Sequence, residues 1–124
     1  MIGSLARAPG GAAEEIVAQR LAAAGWTILA RRLRVGRLEI DILAQRDDIA
    51  AIVEVRGRRA GTRVDPLDSI GGRKAARLAM AARALWSQRF ATDPRVRVLR
   101  IDIAGVIFGA DGAEVEIVQG AIEA

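Results

Sequence analysis

The chain contains no cysteine, no histidine and no tyrosine, and its aromatic content is 3%. Without thiolates or imidazoles it has neither a disulfide framework nor the usual ligands for zinc. A resident metal must then be held by oxygen, which favours Mg²⁺ or Mn²⁺. The scarcity of aromatic rings argues against recognition by base stacking and against a large aromatic interface. No run of 18 apolar residues is present, and the N-terminus lacks the charged-then-apolar pattern of a signal peptide. The expectation is a cytoplasmic protein without a membrane span. Lysine is nearly absent as well: Lys74 stands alone against 18 arginines. Such a bias reflects a GC-rich coding sequence, so arginine number by itself carries little functional weight.

What is present fits one soluble globular unit. The 124 residues are 52% apolar and 27% charged, enough for a single core and too few for two. The net charge of +4 suits a polyanionic partner. Residues 1–10, rich in glycine and alanine, read as a mobile leader, and residues 11–124 as the domain. Ile16, Val17, Leu21 and Ala24 recur at helical spacing from about Ala12, with Gly25 as the stop. Trp26–Ala30 reads as a short strand, followed by a basic stretch from Arg31 to Arg37. Two strand-like segments, 36–44 and 51–58, form a hairpin, and 59–68 reads as a mobile loop. Ser69 is placed to cap a second helix through Ala75, Leu78, Ala82, Leu85 and Trp86, which Asp93-Pro94 ends. Strands at 95–104 and 114–119 flank an Asp111-Gly112 turn. The order implies an α/β fold with a mixed sheet of about five strands flanked by helices.

The hairpin carries the chemistry. Side chains alternate along a strand, so Glu39 and Asp41 are expected on one face, opposite Leu38, Ile40, Ile42 and Ala44. A two-residue turn at Asp47-Asp48 makes paired positions sum to 95. Asp41 then faces Glu54, and Glu39 faces Arg56. Opposed like charges destabilise a sheet, and a divalent cation between Asp41 and Glu54 relieves the repulsion. The backbone carbonyl of Val55 and waters would complete an octahedral oxygen shell. Such a site suits phosphodiester hydrolysis. The alternative is a solvated face with an ordinary Glu39–Arg56 ion pair.

With these segments in order, the sequence resembles the YraN-like family of uncharacterised bacterial proteins. Glu14 matches a helical glutamate, Leu38-Glu39-Ile40-Asp41 the Gly-Glu-Ile-Asp motif, and Val53-Glu54-Val55-Arg56-Gly57-Arg58 the Val-Glu-Val-Lys-x-Arg motif. Lys74-Ala75-Ala76-Arg77-Leu78 matches a Lys-x-x-Arg-Leu signature, and Arg100-Ile101-Asp102-Ile103 is similar to Arg-Phe-Asp-Val. The resemblance covers roughly residues 10 to 122 and implies a restriction-endonuclease-like fold, similar to Holliday-junction resolvases. It further implies Asp41, Glu54 and Arg56 around a metal, with Glu14 approaching from the helix and Glu39 as a further ligand or a partner of Arg56. Read without the family, Glu14 is a favourable acid in a first helical turn.

Two departures stand out: Leu38 replaces a glycine, and Arg56 replaces the motif lysine. Arginine keeps the charge but is never deprotonated, and its planar fork is larger. The survival of Lys74 in so arginine-rich a chain hints that its position needs an ammonium, reaching either the charged face or a phosphate. Arg58 and Arg77 are expected to contact a nucleic-acid backbone. Three functions remain open: a metal-dependent endonuclease on structured or branched DNA, a DNA-binding module impaired at Arg56, and a protein-interaction domain with a vestigial site. The expected partner is DNA, and both a monomer and a homodimer are compatible.

Overall fold

The computed structural model describes residues 8–61 and 70–123, with side chains from residue 11 onward. Helix α1 (Ala8–Ala23) leads through a turn into β1 (Thr27–Val35), β2 (Leu38–Arg46) and β3 (Ile49–Arg59). Helix α2 (Gly72–Leu85) and a π-helical turn (Trp86–Phe90) precede β4 (Val98–Gly109) and β5 (Gly112–Ile122). The five strands form one sheet in sequence order. All neighbours are antiparallel except β3 and β4, which run parallel across the α2 crossover. This is the mixed α/β architecture expected from the order of segments.

Each face of the sheet is covered by one helix. Ala13, Val17, Ala18 and Leu21 of α1 pack on Ile42, Ala51, Val53, Ala104 and Val106. Leu78, Ala81, Ala82 and Leu85 of α2 pack on Ile40, Leu43, Ala50, Ile52 and Ile101. No helix among the described residues is long and apolar enough to cross a membrane.

Local signals placed several boundaries. Gly25 adopts φ 92, and the Trp26 and Gly25 amides donate to the carbonyls of Leu21 and Ala22. These two bonds close α1 with the left-handed glycine cap that its position predicts. The β2–β3 turn is the two-residue Asp47-Asp48, flanked by the Arg46–Ile49 pair.

Other boundaries differ from expectation. The expected leader falls mostly on residues 1–7, outside the described residues, while α1 already begins at Ala8. Residues 62–69 also lie outside, including most of the expected loop and the Ser69 cap; α2 has Gly71 at its N-cap and no side-chain cap bond. The basic run from Arg31 to Arg37 extends β1 as far as Val35 and continues into the turn at Gly36 (φ 61) that joins β1 to β2. After Leu85 the backbone widens, the Ala91 amide donating to the Trp86 carbonyl at 2.7 Å, and Phe90 reaches the α2-side core.

Asp102, the acid of the Arg-Ile-Asp-Ile segment, is 2% exposed. Its carboxylate accepts Arg100 Nε at 2.8 Å and Nη2 at 3.0 Å, and the Gly120 amide at 2.9 Å. It thereby fastens β5 to β4 where their register shifts. Asp102→Asn cannot satisfy all three donors, and urea unfolding should show a loss of about 1–2 kcal/mol.

Candidate metal-binding and nucleic-acid-binding face

The inner half of the β2–β3 ladder follows the register that sums to 95, from Arg46–Ile49 to Ile42–Val53. Beyond that pair the ladder stops. The Val55 amide donates instead to Asp41 Oδ2 at 2.8 Å, so a carboxylate takes the place of a strand carbonyl. Across β1, Arg32 adopts φ 52 at the position that would oppose Asp41. Side-chain alternation breaks there: Ile42 and Ala44 pack on the α1 side, whereas Leu38 and Ile40 pack on the α2 side. The expected single apolar face of Leu38, Ile40, Ile42 and Ala44 is therefore split between the two cores.

Asp41 sits at this break and Glu54 just past the end of the ladder. Val53 and Val55 pack toward α1, so Glu54 between them points toward α2, where Lys74 Nζ lies 3.4 Å from Glu54 Oε1. Glu54 is 3% exposed, and its Oε2 is buried with no hydrogen-bond partner among the described residues. Burial pushes its carboxyl up to about 7, and the charge of Asp41 adds to the rise. Lys74 and, more weakly, Arg56 oppose it. A carboxylate this dry normally has its oxygens satisfied, and among the described residues Oε2, beside the second acid Asp41, is not.

Of the residues singled out by sequence, Asp41, Glu54, Val55, Arg56 and Lys74 come together here. Glu39 does not face Arg56 in the ladder; it is exposed and pairs in register with Arg34 of β1. Glu14 is 8% exposed on α1 and is held by Arg32 at 3.5 Å and Arg31 at 3.8 Å. Among the described residues no third carboxylate joins Asp41 and Glu54. Arg58 is half-buried on β3, with its Nε buried and unpartnered among the described residues. Arg77 is exposed, three residues beyond Lys74 on α2.

Sequence reasoning missed Arg31 and Arg32 as the partners of Glu14. It also left Arg34 and Arg37 without a role, although the basic run itself was visible.

The model of the uncharacterised protein family UPF0102 matches residues 13–106. A UPF0102 protein of Sorangium cellulosum is 47% identical over 116 residues, which span 93% of this chain and 81% of that protein. One of Myxococcus xanthus is 36% identical over 93% of this chain and 89% of its own. One of Symbiobacterium thermophilum is 35% identical over 97% of this chain and 100% of its own. Among solved structures, Pyrococcus furiosus SfsA in complex with Ca²⁺ is similar at a TM-score of 0.40 and 17% identity. That similarity spans 95% of this chain and 64% of the other.

Proposed function

This chain belongs to the uncharacterised protein family UPF0102, and from its charged face we propose that it is a nuclease-like protein that binds DNA and hydrolyses phosphodiester bonds. Its cofactor in this reading is Mg²⁺ or Mn²⁺, and its substrates are structured or branched DNA. The observation that carries the reading is the Oε2 of Glu54, buried and without a partner among the described residues, on one face with Asp41 and Lys74.

Two carboxylates with a backbone carbonyl form an all-oxygen donor set, and Mg²⁺ commonly uses one or two carboxylates plus substrate phosphate. Asp41, Glu54 and the Val55 carbonyl would hold the ion. When bound, it supplies Lewis-acid polarisation of a phosphoryl group. The Val55 amide fixes the Asp41 carboxylate through Oδ2, leaving Oδ1 for a ligand. Lys74 orients Glu54 and offers an ammonium to the negative charge that grows on the phosphoryl oxygens. Arg56 keeps a permanent charge on the same face but cannot take up a proton from water. The lysine of α2 thus offsets the arginine in the β3 motif. Glu14, paired with Arg31 and Arg32, and Glu39, at the surface, act in this reading as supports of β1 rather than as ligands.

The test is cleavage of labelled duplex, single-stranded and four-way-junction DNA with Mn²⁺ or Mg²⁺, beside Asp41→Ala. Metal-dependent products absent from the variant are expected. No product from any substrate, or equal product from the variant, sinks the reading. A second reading, a DNA-binding module without turnover, rests on Arg56 in the lysine position; salt-dependent binding without cleavage, with activity gained on Arg56→Lys, would favour it.

A further inference from the structure

A groove of about 620 Å³ lies between α2 and the β1–β2 turn. Arg34 from the end of β1, Arg37 from the turn and Arg77 from α2 line it together with Leu38, Met80 and Gln88. No acidic residue lines it among the described residues. The three arginines are exposed, and none is in an ion pair among the described residues. Glu39, the register partner of Arg34, stays outside the lining. Met80 is 63% exposed, one of two large apolar side chains left open among the described residues.

The groove and the candidate site share helix α2. Lys74, Arg77, Ala81, Ala84 and Gln88 recur every three or four residues, so they share one stripe of α2 and its π-helical extension. Arg77 follows Lys74 by about one turn, or roughly 5 Å along the axis. Lys74 touches Glu54, and the next four members of the stripe line the groove.

We propose that this groove takes a single-stranded stretch of nucleic acid and leads it to Asp41 and Glu54, a placement that rests on the phosphodiesterase reading above. Three guanidiniums without a carboxylate among them suit successive backbone phosphates. The exposed Met80 and the Leu38 beside it select the form of the strand. A duplex keeps its bases stacked inward and presents mainly phosphate and sugar to a groove wall. A single strand leaves base faces exposed, and these cover an aliphatic wall by apolar contact without aromatic stacking. Arg34, at the end of β1, and Arg37, on the turn into β2, are then strand-binding residues in addition to Arg77.

Fluorescence anisotropy in EDTA tests this, using a labelled oligothymidylate and a labelled duplex of equal length. Arg34→Gln/Arg37→Gln/Arg77→Gln should weaken oligothymidylate binding at least about tenfold, and lower the slope of log affinity against log salt by about two. The corresponding triple lysine variant should keep most of the affinity. Met80→Ala should weaken single-strand binding several-fold, spare the duplex and leave the salt slope unchanged. Thermal melts confirm that the variants, all at exposed positions, remain folded. Wild-type affinity in the triple glutamine variant overturns the proposal, as does equal loss on both nucleic acids. A wild-type dimer by light scattering that the triple glutamine variant dissolves, without strand binding, also overturns it in favour of a contact between copies. A Mn²⁺ titration separates the two readings. Strand binding without Mn²⁺ binding leaves the groove and removes the catalytic site, whereas Mn²⁺ binding with an unaffected triple glutamine variant removes only the groove.

Discussion

Between pH 5 and pH 8 the metal-free protein should lose roughly 3 kcal/mol of stability, and Glu54→Gln should abolish that loss. Burial, followed by the charge of Asp41, raises the Glu54 carboxyl from 4.5 to about 7 in the folded state. Between those values the folded chain keeps a proton that the unfolded chain has released. The stability from this group is therefore complete below about 4.5 and disappears as the pH rises through about 7. The gap, at 1.36 kcal/mol per pH unit, sets the size of the effect.

The window is unusually clean because the chain has no histidine. Asp48 and Asp93 are held below the usual carboxylate range by hydrogen bonds from Arg97 and Arg95, so they finish titrating below it. Urea unfolding in EDTA at several pH values gives the measurement. Wild type and Glu54→Gln should converge near pH 5 and separate above pH 7, the variant being the more stable. Parallel profiles would falsify the assignment. At pH 8, Mn²⁺ should restore stability to the wild type alone, by about 2.7 kcal/mol at a hundred times its dissociation constant.

The second large effect is on turnover. Replacing Lys74 with methionine should reduce cleavage by roughly 10²–10³-fold, the range for loss of one donor to a transition-state oxyanion. Methionine keeps much of the apolar stem, so packing of α2 against β3 is little disturbed. DNA affinity should change far less than turnover, because one phosphate contact among several is lost. Lys74→Arg should recover only part of the rate, since the planar fork does not reproduce a compact ammonium. Single-turnover cleavage measured beside anisotropy separates the two quantities. Equal turnover in Lys74→Met and wild type would remove Lys74 from the reaction, both as a donor and in orienting Glu54.

Much of this architecture was legible from local pattern. Gly25 announced the end of α1, and the turn at Asp47-Asp48 fixed a register that holds from Arg46–Ile49 to Ile42–Val53. Both signals act within a few residues, where backbone sterics and turn length leave little choice. The same arithmetic, carried further, set Glu39 opposite Arg56, and there it failed. It assumed unbroken alternation, whereas Arg32 at φ 52 and the Asp41–Val55 bond end the ladder.

The sequence by itself determined that any resident metal must be held by oxygen, that Asp41 and Glu54 lie on adjoining strands, and that one lysine is set apart from 18 arginines. Only the tertiary structure decided which charges meet. The α2 crossover returns Lys74 to Glu54, 20 positions away in sequence, and sets Arg77 across a groove from Arg34 and Arg37. The opposite face gives Glu14 to Arg31 and Arg32 and keeps it from the other two acids. Pairing along a hairpin follows from spacing, but contact between a helix and the sheet beneath it depends on how both cores pack. That packing turned a pair of acids on a hairpin into a buried carboxylate with an ammonium beside it, and placed a basic groove along the same helix.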